Sequence, residues 1–182
     1  MAFTSWLNKG TLITLEDGSQ KAIESIEVDD LIQTFDMSPD DFDGAHIVNN
    51  ETCTAKVKEI TENTVDGGDV STITFDNGSK LTLSNDYPIY GFAKEIGWLT
   101  NDIEATKTKY GNSEADGDDD RWDEIKVESE VFLDGDDIDA SVTNIEAHTE
   151  GTNFSMYTIE SLEKGDVVFA NNVLVASGGN LS

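Results

Sequence analysis

The sequence predicts an all-β fold of many short strands, because two hairpin patterns stand out and helical periodicity is weak. In the first hairpin, Thr11–Leu15 leads through an Asp-Gly turn into Gln20–Ile23. In the second, Val70–Phe75 leads through an Asn-Gly turn into Lys80–Leu83. Such dipeptides are typical of tight hairpin turns. The two hairpins therefore favour an architecture based on sheets rather than on packed helices.

Short runs bounded by turns supply the further strand candidates, which are Val57–Ile60, Glu130–Leu133, Ser141–Ile145, Met156–Ile159 and Val173–Val175. The stretch Ile23–Leu31 is expected to form at most a turn of helix. One phrase occurs twice, in Ala22–Asp30 and in Tyr157–Asp166, as apolar-Glu-Ser-apolar-Glu followed by two variable residues and Asp. Its presence near both ends of the chain predicts a pseudo-symmetric β fold.

The length of 182 residues fits a single domain over residues 1–182. Two acidic segments interrupt the strand pattern, namely Met37–Gly44 and a run over about residues 112–124 that is expected to be a solvated loop inserted in the domain. Residues 178–182 are expected to form a short flexible tail.

The balance of 38 acidic against 11 basic residues gives a net charge of −27, which excludes an electrostatic attraction to nucleic acid or to anionic membranes. The single cysteine, Cys53, excludes a disulfide framework, and two distant histidines leave little for metal or imidazole chemistry. No apolar run approaches the roughly 20 residues of a membrane helix. The N-terminus has no signal-peptide pattern, so we expect synthesis in a cytoplasm.

Four segments of the chain together form a known sequence pattern, at residues 10–30, 73–90, 156–160 and 168–175. The first opens with Gly-Thr, continues as a strand and an Asp-Gly turn, and ends with a repeated apolar-Glu pattern. The second ends in Ser-Asn-Asp-Tyr-Pro, followed by Gly97-Trp98, and the last contains Phe-Ala-Asn-Asn. These segments resemble the splicing blocks of Hint domains, the fold shared by inteins and hedgehog autoprocessing domains. Asp29 stands where that family usually has glycine.

The resemblance implies a site that cleaves its own backbone. In the family, a first Cys or Ser attacks the preceding carbonyl, a His in Thr-x-x-His assists, and in inteins a terminal His-Asn pair completes the cleavage. The matching positions here are Trp6, Ser84, Tyr87, Ala176 and Ser177. Indole is no nucleophile, a phenol of pKa about 10 is a poor acid–base group, and neither Ala nor Ser can cyclise. The resemblance therefore predicts a degenerate Hint domain with no catalytic residues and no enzymatic activity.

Other residues have competing interpretations. Ser5 could replace the nucleophile through a shift of one position, but Trp6 is favoured as an aromatic residue that fills the old cleft, and Tyr87 as a core or rim tyrosine. Cys53 is expected to be a buried thiol and His148 an exposed side chain. No cofactor is expected. Asp116, Asp118 and Asp120 are the candidate ligands for Ca²⁺, although their spacing does not match an EF-hand and a solvated loop is favoured.

The leading functional hypothesis is a non-catalytic structural protein, most plausibly a component of a tailed-bacteriophage virion made in the host cytoplasm. Catalytically altered Hint domains occur among marine phage proteins, and an acidic surface suits a salty medium. Its expected partners are other protein subunits of the assembly, not nucleic acid or membrane. The alternatives are residual self-processing, as in inteins, and a Ca²⁺-binding surface module.

Overall fold

The computed structural model describes residues 5–37, 47–92, 96–110, 122–133, 140–165 and 167–177. Within these ranges, the chain forms an almost entirely β structure with one α-helix, α1 (Ile103–Tyr110). The strands are β1 (Leu7–Asn8), β2 (Leu12–Thr14), β3 (Gln20–Ala22), β4 (Leu31–Met37), β5 (Ile47–Asp66), β6 (Val70–Phe75), β7 (Lys80–Ser84), β8 (Ile89–Phe92), β9 (Ile96–Thr100), β10 (Trp122–Glu124), β11 (Glu130–Val131), β12 (Ala140–Ala147), β13 (Asn153–Leu162), β14 (Val167–Ala170) and β15 (Val173–Ala176). The predicted all-β class is confirmed.

The strands pair into one continuous hydrogen-bonded arrangement in the order β3-β2-β14-β15-β8-β11-β12-β6-β7-β1-β13-β5-β4. Strand β9 joins it through β8, and β10 pairs with β9 in parallel. Strand β1 lies between β7 and β13, while β15 lies between β14 and β8. Segments from the beginning, middle and end of the sequence therefore meet in the same region of the fold.

Both predicted hairpins are present with the expected turn chemistry. Strands β2 and β3 pair antiparallel, and so do β6 and β7. The two turns place glycine in the left-handed region, with φ of 80° at Gly18 and 83° at Gly78. In each turn the serine just before the second strand donates its backbone N–H to a side-chain oxygen two residues earlier: Ser19 to Asp17 and Ser79 to Asn77, at 2.9 Å in both cases.

Several elements differ from the sequence-based expectations. Strand β5 extends far beyond the predicted Val57–Ile60, and β4 and α1 were not predicted. Most of the β5 side chains whose environment is described are polar and solvent-facing, so the strand lacks the alternating apolar pattern that would reveal it. The last three residues of the predicted acidic loop form β10, where Trp122 is buried. Residues 112–121 and 178–182 of the predicted loop and tail lie outside the described ranges.

The predicted pseudo-symmetry has a clear local counterpart in two turns, Ile26–Asp30 and Ile125–Ser129, which we call the paired turns. Each begins with a buried isoleucine and contains an exposed valine two residues later. Each then places an acidic residue in the left-handed region, with φ of 71° at Asp29 and 77° at Glu128.

The backbone contacts of the paired turns also correspond. Asp29 N–H donates to the Val57 carbonyl at 2.8 Å, and Glu128 N–H donates to the Val142 carbonyl at 2.8 Å. The second copy of the repeated phrase ends in a similar way, because Gly165 has a φ of 77°. The first halves of the two phrases differ, however, since Ile23–Ser25 forms a 3-10 turn and the matching residues lie in β13.

The core is one apolar cluster to which most strands contribute. Its largest fully buried side chains include Trp98, Trp122, Tyr87, Tyr90 and Phe169. Strands β14 and β15 are buried along their whole length. Since β15 pairs with β8 at Val175 and Ile89, this buried pair of strands is packed against the segment that carries the candidate site. No helix in the described part of the chain is long and apolar enough to cross a membrane.

Candidate functional site

Trp6 and Ser84 are joined by two backbone-directed hydrogen bonds. The Trp6 N–H donates to the Ser84 hydroxyl at 2.8 Å, and the Ser84 N–H donates to the Trp6 carbonyl at 2.9 Å. The register continues in the adjacent pair Leu7 and Leu83, where β1 meets β7. This pairing places a hydroxyl on the nitrogen of the Ser5–Trp6 peptide bond, which is the bond that a nucleophile at position 6 would cleave.

The Ser84 hydroxyl is in turn held by Asp86. It donates to the Asp86 carboxylate at 2.7 Å, and the second carboxylate oxygen forms an ion pair with Lys109 of α1. The Asp86 side chain is largely buried. A polar chain therefore runs from the peptide nitrogen through a hydroxyl and a carboxylate to an ammonium group. Sequence reasoning identified Ser84 but missed Asp86 and Lys109.

Tyr87 is fully buried and bonds to the last strand. Its hydroxyl donates to the Ala176 carbonyl at 2.6 Å. Ala176 N–H donates to the Pro88 carbonyl at 3.0 Å, which fixes β15 against the start of β8. Tyr87 and Ala176, two of the positions singled out by the sequence resemblance, are thus in direct contact, and the hydroxyl proton of Tyr87 is directed at a backbone oxygen.

Burial raises the pKa of the Tyr87 phenol well above its ordinary value of 10.0, with smaller contributions from Tyr110 and Asp86. Burial also raises the pKa of Tyr110, although its hydrogen bond to Ser5 opposes the change. Both phenols are therefore neutral over the physiological range. Neither can accept a proton as a phenolate near neutral pH, so the arrangement contains no tyrosine suited to general-base catalysis.

Ser5 is fully buried beside this network. Its hydroxyl contacts the Tyr110 hydroxyl at 2.8 Å and the Asp86 carbonyl at 3.3 Å. If Ser5 replaced the nucleophile, it would attack the carbonyl before it and the leaving nitrogen would be that of Ser5, and Ser84 contacts the nitrogen of the next residue instead. The arrangement therefore does not fit this alternative.

Trp6 lies on a cleft of about 420 Å³ and is partly buried. The lining includes Asp66, Asp69, Asp102 and Lys109. Trp6 is thus a partly buried aromatic residue at the edge of this cleft. The walls carry several carboxylates, and the Asp66 carboxylate accepts from the backbone N–H groups of Gly68 and Gly151, which lower its pKa.

Ser177 follows Ala176 and is also buried. The candidate Ca²⁺ ligands Asp116, Asp118 and Asp120 lie outside the described ranges, so the Ca²⁺ hypothesis stays a prediction. Within those ranges, no group of three or more His, Cys, Asp or Glu side chains is placed to hold a metal ion.

Two lone residues differ from expectation. Cys53 lies on β5 and is half-buried rather than buried. His148 was expected to be exposed but is half-buried, because its ring packs against Phe154 with centroids 4.8 Å apart. Its Nε2 also contacts the Thr72 hydroxyl at 2.8 Å. Neither residue lines the cleft beside Trp6.

Comparison of the structure with solved structures finds inteins and an intein-like domain. The chain is similar to a bacterial intein-like domain from Clostridium thermocellum, with a TM-score of 0.65, 16% identity, and coverage of 94% of this chain and 98% of that one. It is similar to a DnaB intein from Synechocystis, with a TM-score of 0.65, 13% identity, and coverage of 96% and 99%. For the TvoVMA intein the values are 0.59, 11%, 94% and 97%.

At the level of sequence, no protein-family model matches the chain, and a comparison with curated proteins finds no match. The structural similarity covers nearly the full length of both partners, so the chain has the intein-like, Hint fold. The fold predicted by the sequence resemblance is therefore confirmed, while the identities are too low to transfer an activity.

Proposed function

We propose that this chain is a Hint-fold protein without self-processing activity, and that it serves as a structural subunit of a larger protein assembly. The observation that carries the proposal is the Tyr87 hydroxyl, bonded at 2.6 Å to the Ala176 carbonyl. A neutral phenol committed to a backbone oxygen offers no acid–base group to the Ser5–Trp6 bond. The indole of Trp6 offers no nucleophile to the same bond.

The terminal positions support the same proposal. Cyclisation in inteins needs a side-chain amide that attacks its own backbone carbonyl, and neither Ala176 nor Ser177 has one. Both residues are buried at the end of β15. The segment that would have to rearrange during cleavage is instead packed against the core.

The direct test is the intact mass of the full chain after prolonged incubation at neutral pH, with and without a thiol. We expect the mass to remain unchanged under both conditions. Peptide mapping should recover one peptide that contains the Ser5–Trp6 bond and another that ends at Ser182. Loss of the residues before Trp6 would overturn the proposal.

The specific assembly that we propose is the virion of a tailed bacteriophage, produced in the host cytoplasm. Support comes from the intein-like fold with altered site residues and from the net charge of −27, which suits a protein exposed to a salty medium. Mass spectrometry of purified virions from the phage that encodes the chain tests this step. We expect the protein in intact particles after gradient purification, and its absence from them would contradict the virion assignment.

Residual self-cleavage is the second candidate, and one contact favours it. The Ser84 hydroxyl touches the Trp6 nitrogen at 2.8 Å and is itself held by the Asp86 carboxylate. Attack of water on the Ser5 carbonyl would break the Ser5–Trp6 bond and leave a carboxyl group at Ser5. The proton lost by the water would pass to the Asp86 carboxylate, and Ser84, after its two hydrogen bonds reverse, would relay a proton to the leaving nitrogen of Trp6. This hydrolysis predicts a slow mass loss that is independent of thiol and is abolished by Ser84→Ala.

A further inference from the structure

A second depression lies where β8, β11, β10 and α1 approach one another, and it shares no lining residue with the cleft beside Trp6. We call it the Phe92 groove. Its volume is about 550 Å³, and its lining consists of Phe92, Ile103, Asp123, Glu124, Lys126, Val127, Glu128, Ser129 and Glu130. Phe92 and Glu130 are cross-strand partners of β8 and β11. The second of the paired turns, Ile125–Ser129, leads directly into that strand.

Apolar side chains are unusually accessible in this groove. Phe92 is 41% exposed and Val127 is 54% exposed, and both are among the few large apolar residues that the described surface leaves open. Ile103, at the start of α1, is half-buried beside them. A ligand that covered the exposed part of the Phe92 and Val127 side chains would remove apolar surface from water, so the floor can anchor a partner.

The rim of the groove is acidic. Among the described residues that line the groove, Asp123, Glu124, Glu128 and Glu130 contribute four carboxylates, and Lys126 contributes one ammonium group. Lys126 already contacts Glu124 at 3.3 Å, on an exposed part of the surface. The rim therefore has a net negative potential, and this potential adds to the field of a chain with a net charge of −27.

The turn that presents Val127 holds an unfavourable backbone conformation. Glu128 has a φ of 77°, in the left-handed region, which residues other than Gly, Asn and Asp rarely adopt. The turn is retained by hydrogen bonds from Ser129 N–H to the Lys126 carbonyl at 3.0 Å and from Lys126 N–H to the Ser129 hydroxyl at 3.0 Å. The valine side chain is thus held outward by a fixed turn rather than by a loose loop.

We propose that the Phe92 groove is a docking surface for a segment of a partner protein that carries a large apolar side chain flanked by Lys or Arg. The apolar floor selects the anchor residue, and the carboxylate rim selects its basic neighbours. A second copy of this chain is disfavoured as the occupant, because two molecules of charge −27 repel one another. The inference deepens the proposed structural role and rests on it, since it names the surface through which the subunit would be held.

The chain supplies its own matched control for a test. Val28 occupies the corresponding position of the other paired turn, is also 54% exposed, and precedes the left-handed Asp29. It does not line the Phe92 groove. Val28→Ser and Val127→Ser therefore remove the same atoms from equivalent turns, and only the second substitution changes the proposed surface.

Three short fluorescent peptides serve as probes in anisotropy titrations with the intact chain. The first has a central Phe-Leu pair between Lys and Arg residues, the second replaces Phe-Leu with Ser-Ser, and the third replaces the basic residues with Glu. We expect the first to bind at least about tenfold more tightly than the second, and the third not to bind. Val127→Ser should remove the difference between the first two peptides, whereas Val28→Ser should preserve it.

Equal binding of the first two peptides, or an equal effect of the two valine substitutions, would overturn the docking proposal, because either result indicates attraction to the acidic surface alone. Concentration-dependent self-association that Val127→Ser abolishes would instead identify a second copy as the occupant and would also overturn it. The mass measurement on the unmodified chain is independent of these titrations. Failure of the docking surface is thus distinguishable from failure of the proposed lack of self-processing.

Discussion

The hydroxyl of Tyr87 and the backbone carbonyl of Ala176 are joined across 89 positions of sequence by a hydrogen bond of 2.6 Å. Tyr87 begins the segment that leads into β8, and Ala176 ends β15. In the Hint family both positions belong to the self-processing machinery, according to the sequence resemblance. Here the same two positions are joined by a hydrogen bond inside the core.

The first prediction concerns the strength of this contact. Tyr87→Phe removes the hydroxyl from a fully buried site, and we expect the free energy of unfolding to fall by about 1 kcal/mol. Tyr157→Phe is the control, because Tyr157 lies on β13 with its side chain only partly buried, and its effect should be within about 0.5 kcal/mol. Urea unfolding followed by tryptophan fluorescence measures both variants. Equal effects of the two substitutions would show that the Tyr87 bond adds no stability.

The second prediction concerns alkaline pH. Burial raises the pKa of Tyr87 above 10.0, so the folded chain holds the phenolic proton more tightly than the unfolded chain does. The associated stability is fully present below pH 10 and is lost as the pH rises above that value. The melting temperature should therefore fall above about pH 10. Tyr87→Phe should reduce this slope, and an unchanged slope in that variant would contradict the assignment to Tyr87.

The third prediction uses two glycines that face each other across β8 and β9, Gly91 and Gly97. A Cβ atom at Gly91 would lie 2.3 Å from the Glu130 carbonyl oxygen and 2.9 Å from Leu99 Cδ1, whereas one at Gly97 would meet nothing within 4 Å. We expect Gly91→Ala to lower the free energy of unfolding by about 1–3 kcal/mol or more. Gly97→Ala should be neutral or slightly stabilising. Thermal melting of both variants tests the contrast, which an equal loss of stability would refute.

The fourth prediction is that the site can support cleavage of the Ser5–Trp6 bond when a nucleophilic thiol and an imidazole are introduced. In the double variant Trp6→Cys with Tyr87→His, the thiolate can attack the Ser5 carbonyl to give a thioester, and the Trp6-position nitrogen takes a proton as it leaves. An added dithiol then displaces the new cysteine and releases residues 1–5. We expect thiol-dependent release that Trp6→Cys alone shows more slowly.

Mass spectrometry over time measures this release. A triple variant that adds Ser84→Ala is the control, because it removes the hydroxyl placed 2.8 Å from the leaving nitrogen. The triple variant should be slower than the double variant. Equal rates would show that Ser84 has no part in assisting the departure of the nitrogen.

The fifth prediction concerns ionic strength. A chain with a net charge of −27 repels itself most strongly when folded, and salt screens this repulsion with a Debye length of about 10 Å at 0.1 M. We expect the free energy of unfolding to rise steadily from low salt to about 0.5 M sodium chloride. Sodium chloride and potassium chloride should act equally, because the effect is one of screening. A flat dependence on salt would contradict it.

Much of the fold could be predicted from local sequence, because tight turns have specific chemistry. The Asp-Gly and Asn-Gly turns identified both hairpins. The repeated phrase predicted pseudo-symmetry between residues 22–30 and 157–166, whose copies agree in the left-handed backbone of Asp29 and Gly165 but not in their first halves. The turn at Ile125–Ser129, which also matches Ile26–Asp30, was not recognised from the sequence, because Glu128 stands where a glycine would have drawn attention. The backbone conformation is the same at Asp29 and Glu128, although neither residue type signals it strongly.

The site was only partly predictable for a different reason. Position in the blocks identified Trp6, Ser84 and Tyr87, but two of the groups that surround them come from a helix with no apolar periodicity. Lys109 and Tyr110 belong to α1, whose sequence is polar on most sides. A helix of this kind is stabilised by its packing in the folded chain, so its contribution to the site could not be derived from its own residues.

The arrangement of strands also affects the order in which parts of the chain fold. The β6–β7 hairpin is local and can form within about 1–10 μs. By contrast, Leu12 N–H donates to the side chain of Asn171, 159 positions away, and β1 must reach both β7 and β13. Closure of such large loops dominates the barrier of β proteins, which fold over milliseconds to seconds. We therefore expect the contacts of Trp6 with Ser84 and of Tyr87 with Ala176 to form late in folding, because each joins segments that are far apart in the sequence.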